Sequence, residues 1–226
     1  MEQSHGGDMQ NKNKVLCVLL FFLQPFFIYT QNNDIEAWWA QTTQLYEQST
    51  NMQAARTITE VEELDGRGRI RSSEIIETRY EWIDNEERII VLRNGIDASD
   101  SLGQRNIGTV AGFDAMPFDP RYVSSTVRNN VSMQNNNFFI AYTIATEAGP
   151  VEGIARFSSD GLLMFIEQNW VRPPSAIRMM KCEYYFEYQN GIPLISRTAM
   201  EVSVSVLLIR RHFRINTVYS QWIRKP

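Results

Sequence analysis

The sequence predicts an α+β protein whose main element is a strongly curved antiparallel sheet of about nine strands. This is a half-barrel, with an N-terminal helix and a short mid-chain helix covering its concave face. Two patterns carry the prediction. Most of the chain alternates apolar and polar residues with period two, as in AMEVSVSV, where Met200, Val202, Val204 and Val206 oppose Glu201, Ser203 and Ser205. Helical spacing appears in only two short stretches, and nothing alternates strand with helix as a parallel sheet requires.

The chain opens on a different material. Lys12 and Lys14 precede VLCVLLFFL, Gln24-Pro25 interrupts the run, and FFIYT closes it. That stretch is short for a membrane-spanning helix, which needs about 20 apolar residues. It reads as a signal peptide over residues 1–30, cleaved after Thr30, with residues 31–226 forming a single domain. The expected location is therefore periplasmic or secreted, with a membrane anchor left by an uncleaved N-terminus as the alternative. Cys17 sits too early in the apolar run for a lipoprotein signal. Cys182 is then the one cysteine of the mature chain, so no internal disulfide is available. In phase with Tyr184 and Phe186, it reads as a small buried apolar residue.

Asn33 or Asp34 caps a helix in which Ile35, Trp38, Trp39, Thr42, Leu45 and Tyr46 recur at intervals of three and four. From residue 55 the period is two. ARTITEVEEL leads through the turn DGRGR into IRSSEIIETRYEWID, with Ile70, Ile76, Tyr80 and Trp82 in one phase. ERIIVLRNGI makes a third strand ending at Asn94-Gly95, which completes an antiparallel meander. Residues 97–120 have no period and read as a lid or binding loop, or as disorder. Asp119-Pro120 then starts a short helix with Val123, Val127 and Val131 as its apolar stripe. Strands resume at NFFIAYTIAT, PVEGIARFSS and GLLMFIEQNW. After the break at VRPPS come CEYYFEYQ, LISRTAMEVSVSVLLI and HFRINTVYSQWI.

Composition narrows the function classes. The 226 residues are 43% hydrophobic and 21% charged, with a net charge of −4, which gives no nucleic-acid footprint. His212 is the sole histidine after the apolar segment, so a histidine-rich metal site is excluded and no metal or cofactor is expected. No nucleophile elbow, zinc-protease or phosphate-loop motif occurs, and DGRGR lacks the Lys-Ser/Thr and helix of a phosphate loop. The acids at Glu60, Glu62 and Glu63, and at Glu86 and Glu87, read as solvated hairpin edges. No catalytic residue is nominated, and the protein is expected not to be an enzyme.

Area supplies the positive signal. About nine strands spaced about 4.8 Å apart make an open sheet about 40 Å wide, whereas a helix is only about 10 Å across. The helices cannot shield such a face. Curvature and loop packing fill it as an ordinary core, or an apolar pocket stays open. If open, the pocket is lined by Trp38, Trp39, Tyr46, Tyr80, Trp82, Met164, Ile166, Tyr184, Phe186, Met200 and Val202.

The order of elements resembles the LolA-like superfamily of exported lipoprotein carriers and lipid-binding proteins. The likeness rests on the N-terminal helix followed by ARTITEVEELDGRGRIRSSEI, on MPFDPRYV in mid-chain, on EGIARFSSDGLLMFIE and on INTVYSQW. It implies a half-barrel with a hydrophobic concavity that shelters acyl chains, and the helix face bearing Trp38, Trp39 and Tyr46 would sit over it. The lid arginine of true carriers has candidates only by location, Arg105 and Arg121. The expected role is a non-enzymatic lipid or lipoprotein carrier of the bacterial envelope, acting as a monomer on a lipid or an acylated protein. The alternative is an envelope sensor or protein-interaction module with a filled core, recognising an envelope protein by a strand edge or by the 97–120 loop.

Overall fold

The structure is a computed structural model, which describes residues 34–83, 86–99, 115–173, 176–206 and 209–225. Chain contacts divide it into two units, residues 1–41 and 42–226. In the first, residues 34–41 are helical, with Ile35 and Trp39 buried and Trp38 half-buried. The capping role expected of Asn33 lies outside the described residues. The helix, α1, runs over residues 34–49, and its last turns belong to the second unit.

The second unit contains one open antiparallel sheet of eleven strands. They are β1 (Met52–Leu64), β2 (Ile70–Ile83), β3 (Glu86–Arg93), β4 (Ile96–Asp97), β5 (Thr126–Gln134), β6 (Asn137–Thr146), β7 (Gly149–Phe157), β8 (Leu163–Trp170), β9 (Ile177–Gln189), β10 (Ile192–Val206) and β11 (Ile209–Arg224). Their order is β4-β3-β2-β1-β11-β10-β9-β8-β7-β6-β5. Two meanders, β1 to β4 and β5 to β11, are thus joined edge to edge by one long-range pairing. In that pairing Met52 faces Arg224 at one end and Leu64 faces His212 at the other.

The count exceeds the nine expected, and the mid-chain helix is replaced. Val123–Ser125 form a single 3-10 turn, and the chain then extends as β5. A stripe at every fourth residue satisfies a strand as well as a helix, because four is twice the strand period. Val127 and Val131 therefore fit either element, and β-branching favours the strand. The turn after β5 is Asn135-Asn136, both in the left-handed region at φ 50° and 58°. Asparagine tolerates that region through its short polar side chain, so this pair does what Asn94-Gly95 does between β3 and β4.

Register fixes which side chains share a face, since directly paired residues of antiparallel strands project the same way. One face is apolar. Across it run Ile140, Ala155, Ile166, Tyr184, Thr198, Thr217, Thr59 and Ile76, each paired with the next. The other face is charged. There Lys181, Glu201, Arg214 and Glu62 are successive partners, and Arg214 reaches Glu62 at 3.2 Å and Glu201 at 3.8 Å. Lys181 also sits 3.3 Å from Glu167 and 3.1 Å from Glu183. A second row on this face alternates cations and rings. Arg156 lies 5.4 Å over Phe165, Phe165 is 5.0 Å from Tyr185, and Arg197 lies 4.8 Å over Tyr185. Such cross-strand pairs contribute about 0.2–1 kcal/mol each and tie β7 to β10.

Candidate functional site

The apolar face is divided into a covered part and an open part. On β6 to β9 it is packed: Ile140, Ile144, Val151, Ala155, Phe157, Leu163 and Ile166 are fully buried, and Met180, Cys182, Tyr184 and Phe186 nearly so. Residues 115–119 lie against this part and are themselves buried. Phe118, with no exposed surface, meets Phe157 edge-on at 6.3 Å and Tyr46 of α1 at 6.5 Å. Gln168, a fully buried amide on β8, donates from Nε2 to the Ala115 carbonyl at 2.7 Å. The next residues are held by Asp119, whose carboxylate accepts from the backbone N–H and the guanidinium of Arg121. That guanidinium holds the Asp119 carboxyl below the usual carboxylate range. Of the segment expected to be a lid or binding loop, this end packs on the apolar face, while residues 100–114, with Arg105, lie outside the described residues.

Beneath the segment, Tyr142 lies over Gly153, its directly paired neighbour. A Cβ on Gly153 would overlap Cζ and the hydroxyl oxygen of Tyr142 and fall 2.8 Å from the Glu167 carbonyl oxygen. Glycine is thus required by close approach, and the large ring fills the space that its missing side chain leaves.

On β10, β11 and β1 this face is buried at Pro193 and Thr217, but beyond the Thr198, Thr217 and Thr59 row it is only half-buried. Met200, Ile215 and Val61 form one cross-strand row, and Val202, Phe213 and Glu63 the next. A hydroxyl row bounds them on one side, where Thr59 Oγ1 and Thr217 Oγ1 are 3.0 Å apart and Thr198 and Thr217 reach Tyr219. On the other side Glu63 is 3.2 Å from Arg211 and 3.8 Å from Arg71. An apolar strip flanked by hydroxyls and by guanidinium groups suits an amphiphile, with its chain along the strip.

No protein-family model matches the chain, and no curated protein matches it.

The structure separates the residues nominated from sequence. Met200 and Val202 line the open strip, half-buried. Ile166, Tyr184 and Phe186 belong to the covered part. Tyr80 is half-buried on β2, farther along the same face, and Trp82 follows it on that strand, its side chain outside what is described. Tyr46 touches Phe118. Trp38 and Trp39 belong to the first unit. Met164 requires a correction of phase. Arg156 pairs with Phe165 while Phe157 pairs with Leu163, so Met164 is the extra residue of a β-bulge. It is 39% exposed, whereas Leu163 takes the buried position.

The half-buried AMEVSVSV strand also differs from expectation, since residues 199–205 are half-buried on both sides. Sequence reasoning missed Phe118, Gln168 and Gly153. Two of them had a signal: an apolar AMPF within a polar loop, and a glycine in mid-strand opposite an aromatic.

Little of the site favours chemistry. Burial pushes the Cys182 thiol up to about 12 and raises the Tyr184 and Tyr219 hydroxyls, so all three stay protonated. His212 Nδ1 is 3.3 Å from Ser203 Oγ, on the charged face between Arg211 and Phe213 in sequence and paired with Leu64. Among the described residues no group of three or more His, Cys, Asp or Glu is placed to hold a metal ion, and no helix is long and apolar enough to cross a membrane.

Proposed function

We propose that the protein is an exported, non-enzymatic lipid- or lipoprotein-binding protein of the bacterial cell envelope, a LolA-like half-barrel that shelters an acyl chain. The observation that carries this reading is the division of the apolar face. Residues 115–119 pack on β7 and β8, whereas Met200, Val202, Val61, Phe213 and Ile215 on β10, β11 and β1 are half-buried. Apolar area left in water costs about 25 cal/mol per Å², and an acyl chain laid along the strip removes it. In this reading the sheet curves around the chain and the N-terminal segment directs export.

Native mass spectrometry and a fluorescent fatty acid test it. The protein is expected to carry co-purifying lipid and to bind the probe, and Phe213→Glu is expected to weaken probe binding about tenfold or more, because a buried carboxylate would sit on the strip. A folded protein that carries no lipid and ignores the probe would sink the reading.

A second reading, an interaction module, is favoured by β5. Every residue of that edge strand after Thr126 is exposed on both faces. Its outer edge is therefore open to a partner strand. This reading expects a captured envelope protein to be lost in Val131→Pro, in a protein indifferent to acyl probes.

A further inference from the structure

The chain as a whole carries −4, yet the sheet gathers arginine at one end. Leu64, His212, Ser203 and Met179 are level with one another by register. Beyond that row lie three hairpin ends that the strand order places side by side, since β2, β1, β11, β10, β9 and β8 are consecutive. The β1–β2 end brings Arg67, Arg69 and Arg71. The β10–β11 end brings Arg210 and Arg211, and the β8–β9 end brings Arg172 and Arg178. All seven are exposed, and among the described residues of these ends the only carboxylate is Asp65. Arg69 is neutralised by Asp65 at 2.8 Å, and Arg71 and Arg211 share Glu63. Among the described residues Arg67, Arg172, Arg178 and Arg210 form no ion pair.

The same ends expose apolar side chains. Ile70 is 58% exposed, Ile209 61%, Val171 48% and Met179 38%. Cationic heads on flexible stems beside solvent-facing Ile, Val and Met are the combination that binds an anionic bilayer: the arginines draw the protein to the charged surface and the apolar residues enter the headgroup boundary. A nucleic-acid site would pair the arginines with aromatic side chains for stacking, and among the described residues of these ends the one such side chain, Trp170, is buried.

We infer that this arginine-rich end of the sheet is a docking surface for an anionic phospholipid membrane. The surface stands on the hairpin ends alone and holds whether or not the open strip takes an acyl chain.

The test uses the full chain and two kinds of vesicle, phosphatidylcholine alone and phosphatidylcholine with about a third phosphatidylglycerol. The N-terminal stretch, with Lys12 and Lys14, is common to wild type and variant, so the reading is the difference between the two proteins on anionic vesicles. Wild type is expected to prefer the anionic vesicles, and raising salt from about 0.05 to about 0.5 M should abolish the preference. The combined variant Arg67→Glu, Arg172→Glu and Arg210→Glu is expected to lose about a hundredfold in partitioning to anionic vesicles while unfolding at the wild-type temperature. Amide exchange at residues 67–71 and 209–211 is expected to slow on those vesicles. Equal binding to both vesicles, a variant that binds like wild type, or displacement of the protein from anionic vesicles by a stoichiometric oligonucleotide would each overturn the assignment.

Discussion

Replacing Phe118 by alanine is expected to destabilise the protein by about 3–5 kcal/mol, the cost of deleting a fully buried aromatic side chain. The size follows from position. Phe118 has no exposed surface and wedges between Phe157 of the sheet and Tyr46 of α1, so its ring holds residues 115–119 on the covered part of the apolar face. The polar tether to the sheet is smaller: the Gln168 amide on the Ala115 carbonyl. Hydrogen bonds of this kind contribute about 0.5–1.5 kcal/mol, or about 1.5–3 with a charged partner, too little to replace the ring. Urea unfolding measures the loss. Because the variant uncovers further apolar face, it should also take up more acyl probe than wild type. A loss below about 1 kcal/mol would mean that the segment is not what packs this part of the sheet.

The second large effect is expected at Gly153. Gly153→Ala should cost about 2–3 kcal/mol, at the upper part of the range for overpacking a core. The added methyl meets the Tyr142 ring on one side and the Glu167 carbonyl of the neighbouring strand on the other, and the backbone atom has no rotamer to escape into. Tyr142 itself is 1% exposed and has little space to move into. The geometry makes a double-mutant cycle informative. Tyr142→Leu removes the clash with the ring, so the pair is expected to be less destabilised than the sum of the single variants by about 1 kcal/mol or more. Strict additivity would show that Tyr142 and Gly153 do not share that space.

What could be read from the sequence follows from how local each signal is. The period-two runs placed most strands, and Asn94-Gly95 marked a turn whose left-handed backbone the structure contains. Helical spacing from Ile35 to Tyr46 marked α1, on which Glu36, Gln41, Gln44 and Glu47 are exposed. Ambiguity arose where two periods agree, at Val123, Val127 and Val131, and where one extra residue reversed the phase, at Met164. Both are short-range effects. The division of the apolar face is long-range. Phe118 is 39 residues from Phe157 along the chain, and no local pattern shows which strands its segment will cover. The arginine-rich end was hidden for the same reason, because an overall charge of −4 averages over hairpin ends that become neighbours only after β1 pairs with β11. The hydrophobic surplus was visible in the alternating strands, but its location on β10, β11 and β1 required the register.

The most direct measurement is methyl and amide chemical-shift mapping during titration with a medium-chain fatty acid. Acyl binding to the open strip should perturb Met200, Val202, Ile215 and Val61 first, and leave Ile140, Ala155 and Ile166 under residues 115–119 unchanged. Saturating fatty acid with no shifts on β10, β11 and β1, or shifts confined to the covered strands, would contradict acyl binding on this strip.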